Sequence, residues 1–452
     1  MQAVAIPEVL EGTSLPGPKV DFAFMRRLQR DPMRVMQEMQ QKYGDLVHLK
    51  MPLGHAYVVA VPGIIEQVLV RDHHAFIKDV LTRELRYVMG VGLLTNEHEP
   101  WKRIRKIASP PFTKRAIASY AADMVQITAK YVAHLVPDVA CDVHKHLMEM
   151  TLEIVVRTVF GANLPPEAAG VGAALDKTMT FFTTVSRSMK RVIPKWLPTP
   201  TNIAFKRAVR ELDKSVSFII ADKRHKADPE ANDLISLLIR ARDDQGDGLS
   251  DLQLRDEAIT MFLAGHETTA LVLSYALLAL AQHPELQKRA LDELDDVLQG
   301  RAPTMADTPN LKFLDTVVSE TMRLYPPAWV VAREATRTTM LGNYRIEAGA
   351  QVWMSQYVMH RDGRFFTNAD DFDPDRWSGA LKDELPRFVY FPFGGGPRVC
   401  IGNHFAMMET MLALATILQK RTFEVAPEHV TKLECSVTLR PALGVKLIPR
   451  LR

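Results

Sequence analysis

FPFGGGPRVCIG, Phe391 to Gly402, is the stretch that decides how this chain is read. It holds one of only three cysteines in 452 residues, behind three consecutive glycines and two positions after an arginine. Apolar periodicity in HFAMMETMLALATILQKR predicts a helix just beyond Gly402, which puts Cys400 at or just before a helix N-terminus. Unpaired amides and the helix dipole favour a thiolate there. The glycines clear side chains from the loop, so backbone can approach a large flat group and turn N–H groups toward the sulfur. No second cysteine or histidine stands at zinc-ligand spacing. A lone thiolate suits an iron held mainly by a macrocycle. A buried structural cysteine in a glycine-rich loop is the other reading that the local residues allow.

The rest of the chain sets the frame. Hydrophobic residues make up 47% and charged residues 24%, a globular composition, and a net charge of +3 is too small to argue for nucleic acid. Cys141, Cys400 and Cys435 cannot form a disulfide framework, which suits a reducing, cytoplasmic setting. The opening MQAVAIPEVLEGTSLPGPKV has no basic region leading into an apolar run, so neither a secretory signal nor an anchor is expected. Ala258 to Ala281, AITMFLAGHETTALVLSYALLALA, is apolar enough to cross a bilayer. His266 and Glu267 near its centre would be costly in lipid, and a charged helical stretch follows Pro284. A central helix buried in protein is expected instead, capped by Ser250 or Asp251, and no membrane span.

Helical periodicity recurs in FAFMRRLQRDPMRVMQEMQQKYG, CDVHKHLMEMTLEIVVRTVFG, DLISLLIRAR and PNLKFLDTVVSETMRLYP. Strands are predicted in DLVHLKMPLGHAYVVAV, with Gly54 in a hairpin turn, in NYRIEAGAQVWMS, and in SVTLRPALGVKLIPR, which would pair at the C-terminal end. PKWLPTPTN and DDQGDGLSD are expected as loops between helices. With no repeat or linker, the expected architecture is mainly α with a small β-rich lobe, one domain over residues 1–452, its first 20 residues loosely ordered.

Phe393, Gly396, Arg398, Cys400 and Gly402 together spell F-x-x-G-x-R-x-C-x-G, a set that chance would place in roughly one chain of this length in ten thousand. It resembles the haem-binding loop of the cytochrome P-450 superfamily. Further motifs agree, in that family's order. WKRIR (Trp101 to Arg105) matches the W-x-x-x-R of its haem-flanking helix, and AGHETT (Ala264 to Thr269) resembles the oxygen-binding stretch of its long central helix. ETMR (Glu320 to Arg323) resembles the E-x-x-R pair, and PDRW (Pro374 to Trp377) the meander motif, whose commoner form is PERF. The resemblance runs from about residue 40 to the C-terminus.

It implies a long central helix over haem b, with Cys400 as the axial thiolate of the iron. Trp101, Arg105, Arg333 and Arg398 are the implied propionate partners, because the planar guanidinium fork suits a carboxylate. Thr268, four residues after Ala264, can draw the Ala264 carbonyl out of the helical ladder, and Gly265 keeps the approach clear. By resemblance Thr268 and Glu267 are the catalytic pair that relays protons to oxygen. Glu320, Arg323 and Arg376 would form a buried charge network that holds the cysteine loop, a structural role.

The implied activity is a haem-thiolate monooxygenase that uses O2 as co-substrate to hydroxylate or epoxidise a hydrophobic small molecule. Ala264, Thr268, Trp329 and Val330 are candidate pocket residues. The apolar segments FFTTV, PKWLPTPTN and PPAWVV point to a terpenoid, steroid or fatty acid, with a tilt toward a neutral molecule. Only 52 residues follow Cys400, so electrons are expected from a separate ferredoxin or flavodoxin with its NAD(P)H reductase. Lys102, Arg103, Lys106, Lys114 and Arg115 are its candidate docking face. A plain solvated helix face is the alternative for those cations. A monomer is expected. A haem-thiolate sensor without turnover and a peroxide-driven enzyme are the competing readings; the Glu267–Thr268 pair argues against both.

Overall fold

The computed structural model describes residues 15–52, 54–161 and 197–452. FFTTV and the first three residues of PKWLPTPTN therefore lie outside the described residues, as do the first 14 of the segment expected to be loosely ordered. Residues 15–20 form no regular element, but the Pro16 carbonyl accepts a bond from the His48 amide at 2.9 Å.

The architecture is mainly helical, as expected. Helices of seven or more residues are α1 (Phe22–Arg30), α2 (Pro32–Tyr43), α3 (His98–Ala108), α4 (Ala121–Ala133), α5 (Val143–Phe160), α6 (Pro200–Lys226), α7 (Leu234–Arg240), α8 (Asp251–Gln282), α9 (Pro284–Leu298), α10 (Lys312–Leu324) and α11 (Asn403–Leu418). The first periodic stretch splits into α1 and α2 because Asp31 caps the second helix and Pro32 takes its first position. Likewise Thr199 caps α6, so Pro200 to Asn202 are helical rather than loop.

The central helix α8 has 32 residues, about 48 Å at the usual rise. Ser250 caps it, with the reciprocal bond from Gln253 that completes a capping box. Its most apolar 18-residue window is 83% buried inside the protein, so the length of this helix serves the core. Tyr275, Leu278 and Leu280 join α4, α5, α10 and α11 in one apolar cluster, while Ile259 and Phe262 join α3, α6 and α7 in another.

The β lobe centres on a five-stranded sheet of order β1–β2–β8–β5–β3: β1 (Leu46–Met51), β2 (Gly54–Val59), β3 (Phe76–Lys78), β5 (Val331–Ala335) and β8 (Gln351–Met354). Smaller sheets pair β6 (Thr339–Leu341) with β7 (Tyr344–Ile346), and set β12 (Lys446–Leu451) between β4 (Cys141–Asp142) and β9 (Arg421–Val425). The C-terminal strands do not pair with one another as their adjacency suggests. β11 (Leu439–Pro441) instead forms a hairpin with β10 (Leu433–Cys435), because Gly444 and its left-handed φ of 72° turn the chain away between β11 and β12.

Candidate active site

Cys400 sits where expected, three residues before α11 begins. Its loop is folded on itself: the Gly394 amide bonds the Phe391 carbonyl at 2.9 Å, and the Cys400 amide bonds the Phe393 carbonyl at 3.0 Å. The glycines do something other than the sequence suggested. A Cβ on Gly395 would lie 2.2 Å from the Phe388 ring, and one on Gly396 would lie 1.9 Å from the Leu69 carbonyl oxygen. Two of the three glycines thus let protein close around the loop, and the amide that meets the sulfur is that of Gly402. Burial pushes the thiol pKa up, with the Gly402 N–H and the Arg105 charge opposing it. Cys400 nonetheless keeps exposed surface. Enclosure by protein on one side and an opening on the other reconcile the two.

The charge network under this loop is complete. Glu320 accepts both forks of Arg323 at 2.8 Å, Arg376 Nε at 2.9 Å and the Trp377 indole at 2.8 Å. Burial alone would raise the Glu320 pKa, but Arg323 and Arg376 hold it below the ordinary carboxylate value. Arg323 also donates to the His360 carbonyl, and His360 Nε2 accepts the Phe391 amide at 3.0 Å. The network therefore reaches the first residue of the cysteine loop.

On α8 the pattern of exposure is telling. Met261 to Leu263 and Thr269 to Ala281 are buried, whereas Ala264 is exposed and Gly265 and Thr268 are partly so. Ala264 and Thr268 share one face of the helix, whereas a Cβ on Gly265 would lie 3.1 Å from Val155 of α5, so this glycine lets two helices pack closely rather than keeping the approach clear as expected. Thr268 donates to the Ala264 carbonyl at 2.7 Å, the back-bond expected from the four-residue spacing. Glu267 does not join it. Its carboxylate faces β10–β11, accepting Thr438 at 2.5 Å and the Arg440 guanidinium. Burial would raise its pKa, but Arg440 and Thr438 bring it below the usual value, so the group is ionised. Trp329 is buried with its indole on the Ser436 carbonyl at 3.0 Å, bracing the same hairpin, and Val330 is half-buried beside it.

Trp101, Arg105, Arg333 and Arg398 do converge. The Arg398 guanidinium stacks 3.9 Å over the Trp101 ring, donates to the Asn96 carbonyl at 2.7 Å and pairs with Glu97. Burial and the charges of Arg333 and Arg105 pull its pKa down to about 10, against the opposing pull of Glu97. Arg333 is enclosed as well, and burial lowers its pKa.

A fifth residue, absent from the sequence-based set, completes the cluster. Lys78 stands directly opposite Arg333 in the β3–β5 register. Burial, then Arg333 and Arg398, depress its pKa well below the ordinary lysine value. Like charges opposed across a ladder are unfavourable. Four cations here (Lys78, Arg105, Arg333 and Arg398) meet two carboxylates, Glu97 and Asp79. Asp79 is already spent capping the turn at Leu81 and Thr82. With all four protonated, the surplus of two positive charges in a low-dielectric pocket fits a dianion such as the two propionates of haem, and a bound dianion would restore the depressed charge on Lys78. Only the lysine inside the apolar run HHAFIKDV hinted at it.

The residues present therefore fit haem: one thiol on an open loop, an exposed strip on a buried helix, and cations in want of two carboxylates. The cytochrome P450 family pattern matches residues 15–448. The chain belongs to the cytochrome P450 family. Its relatives include cyclooctatin synthase of Streptomyces melanosporofaciens, 32% identical over 94% of this chain and 92% of that protein. Cyclooctat-9-en-7-ol 5-monooxygenase of the same organism is 31% identical over 88% of this chain and 87% of that protein. Pentalenene oxygenase of Streptomyces avermitilis is 30% identical over 89% of each. This P450 is accordingly a monooxygenase that uses haem iron and O2, takes electrons from a redox partner and acts on a hydrophobic substrate. The sensor reading is set aside.

The expected docking face is narrower than its sequence. Lys102 pairs with Glu99 at 2.6 Å, Arg103 with Asp243 at 2.6 Å and Lys106 with Asp244. Lys114 and Arg115 are exposed and make no ion pair among the described residues.

Proposed function

We propose that this P450 oxygenates a neutral hydrophobic molecule of the terpenoid or steroid kind, with a small acidic ferredoxin or flavodoxin docking near Lys114 and Arg115. The observation that carries the reading is the open face of α8: Ala264 and Thr268 present a methyl and one hydroxyl there, and no charge. Neither side chain offers a cation to a fatty acid carboxylate. Support also comes from two relatives whose names denote an unsaturated alcohol and an unsaturated hydrocarbon, both neutral.

Cys400 would hold the iron through its sulfur; Lys78, Arg105, Arg333 and Arg398 would hold the propionates, with Trp101 stacked on Arg398. Bound haem would supply oxygen activation, to which the Cys400 thiolate would contribute electron density. The chain's own part is proton handling and exclusion. Thr268 Oγ1 carries the proton nearest the open strip, and a χ1 rotation takes it from the Ala264 carbonyl to the cavity. Glu267 joins the relay in this reading when its carboxylate leaves Arg440, which makes the β10–β11 hairpin the element that releases it.

The carbon monoxide difference spectrum of the reduced protein tests the foundation. A Soret band shifted far to the red is expected, and its loss in Cys400→Ser; a band at the histidine-haem position in the native protein overturns the assignment. Spin-state titrations with neutral terpenoids or steroids against fatty acids then test the substrate class. A response to the fatty acids alone would defeat it.

A further inference from the structure

Glu409 has no part in the reading above. It lies on α11, nine residues past Cys400, in a helix otherwise composed largely of apolar side chains, and it is wholly buried. One carboxyl oxygen, Oε1, has no hydrogen-bond partner. The other, Oε2, stands 3.1 Å from the Thr269 hydroxyl, and that hydroxyl stands 3.1 Å from the Gly265 carbonyl oxygen. Thr269 thus touches an acid on α11 and, on its own helix, the backbone of the turn that carries Ala264 and Thr268.

A threonine hydroxyl has one proton to donate. With Glu409 protonated, the acid donates to Thr269 Oγ1 and Thr269 donates to the Gly265 carbonyl. With Glu409 ionised, Thr269 must turn its proton to the carboxylate, and the Gly265 carbonyl loses its side-chain donor. The heavy atoms serve both arrangements without moving, since the two distances are equal. We infer that Glu409 is a positioning residue: its carboxyl proton directs the Thr269 hydroxyl and so decides whether the Gly265 carbonyl, in the turn that carries Ala264 and Thr268, keeps or loses its side-chain donor.

The surroundings permit such a switch near neutral pH. Burial raises the Glu409 pKa to about 8, and the Thr269 hydroxyl is the one opposing influence. Of the charged groups on the elements packed against α11, Asp123 pairs with Arg157 and Lys130 with Glu153 at α4, Glu267 with Arg440 at α8, Lys288 with Asp292 and Arg289 with Asp375 at α9, Glu320 with Arg323 at α10, and Asp307 of Met305–Asn310 with Arg301. Lys114 and Arg115 on the short helix Lys114–Ile117 are exposed, and neither acts on the Glu409 pKa. No cation among the described residues meets Glu409, so its ionised form is held by one hydroxyl. The switch is a property of the polypeptide; its bearing on oxygen handling rests on the monooxygenase reading.

Two variants separate the states. Glu409→Gln keeps a donor facing Thr269 and locks the capped arrangement, and Thr269→Val leaves the Gly265 carbonyl free at every pH. Infrared titration of the haem-loaded, substrate-free protein reads the acid directly. A carboxylic C=O band is expected that fades on raising the pH through about 8. It should be absent in Glu409→Gln and shifted in frequency in Thr269→Val, where the acid loses its acceptor. Glu257, another buried acid whose pKa burial raises to about 8, is the control: its band vanishes in Glu257→Gln and ignores Thr269→Val. Absence of any band that responds to both Glu409→Gln and Thr269→Val overturns the switch, whatever the carbon monoxide spectrum shows. In turnover, the fraction of electrons lost as peroxide should change with pH alongside the band in the native enzyme and be flat in Glu409→Gln. Flat native behaviour, with the band titrating, overturns the link to oxygen handling and leaves the monooxygenase assignment untouched.

Discussion

Replacing Lys78 with Met should stabilise the protein without haem and weaken it with haem, a reversal of sign that follows from the cation cluster. Lys78 and Arg333 are directly opposed across β3–β5. Two like charges about 5 Å apart at an effective dielectric constant of about 20 repel by about 3 kcal/mol. Glu97 and Asp79 offset part of this, but Glu97 is shared with Arg398 and Asp79 with a helix start. A net gain of about 1–2 kcal/mol is expected for Lys78→Met in urea unfolding of the haem-free protein, shrinking at high salt. With haem bound the same lysine would be one of the cations available to a propionate, and a pair about 4 Å apart would attract by up to about 4 kcal/mol. Allowing for the other three cations, a loss of about 2 kcal/mol, or roughly 30-fold faster haem transfer to an apoglobin scavenger, is expected.

The pH dependence carries the same signature. Because the folded haem-free protein depresses the Lys78 pKa, the unfolded chain binds more protons there, and stability rises with pH through the depressed value up to the ordinary lysine value. Glu257 and Glu409, whose folded pKa values are raised, contribute the opposite slope between their unfolded and folded values. Subtracting the Lys78→Met curve from the native one isolates the lysine. Destabilisation of the haem-free protein by Lys78→Met would refute the reasoning, because it would make the lysine a structural partner of Glu97 rather than a charge awaiting an anion.

Thr268→Ala should retain haem and substrate spin shifts while diverting reducing equivalents to peroxide; unchanged coupling of NAD(P)H consumption to product removes Thr268 from proton delivery. Arg323→Ala leaves Glu320 buried with Arg376 and Trp377 but without its main partner, at a cost of about 3–5 kcal/mol, so haem incorporation should collapse, as read by the ratio of Soret to protein absorbance. Reversing Lys114 and Arg115 to Glu should slow reduction by an acidic ferredoxin at low salt more than reversing Lys102 and Arg103, which already have acids beside them. Equal effects would place the docking face elsewhere.

Legibility followed sequence distance. Elements set by local rules emerged from the chain alone: a cap at Ser250, one of the two residues expected, the start of α11 after Gly402, the turn at Gly54, and the Thr268 bond to a carbonyl one helical turn back. Motif residues also came together across long separations, as with Arg398 on Trp101 and Arg376 on Glu320, because family resemblance carries tertiary information that periodicity does not. What stayed hidden depended on pairings without a local signature. Lys78 looks like an ordinary strand lysine until β3 is registered against β5, some 255 residues later. Gly395 and Gly396 read as space for a ligand until Phe388 and Leu69 are seen to fill it.

Glu267 shows the limit most clearly. Adjacent to Thr268 in sequence, it is about 100° away around the helix, so the two neighbours point into different surroundings. Thr268 lies on the open face of the helix, while Glu267 is held by a hairpin more than 170 residues downstream. Thr269, a further 100° on, reaches the helix behind the cysteine. Three consecutive residues of one turn thus tie the central helix to the open strip, to the β10–β11 hairpin and to the cysteine's own helix. A motif read as a linear pair is, in space, a junction, and proton supply at Thr268 is coupled through the backbone of that turn to whatever moves the hairpin on one side or titrates Glu409 on the other.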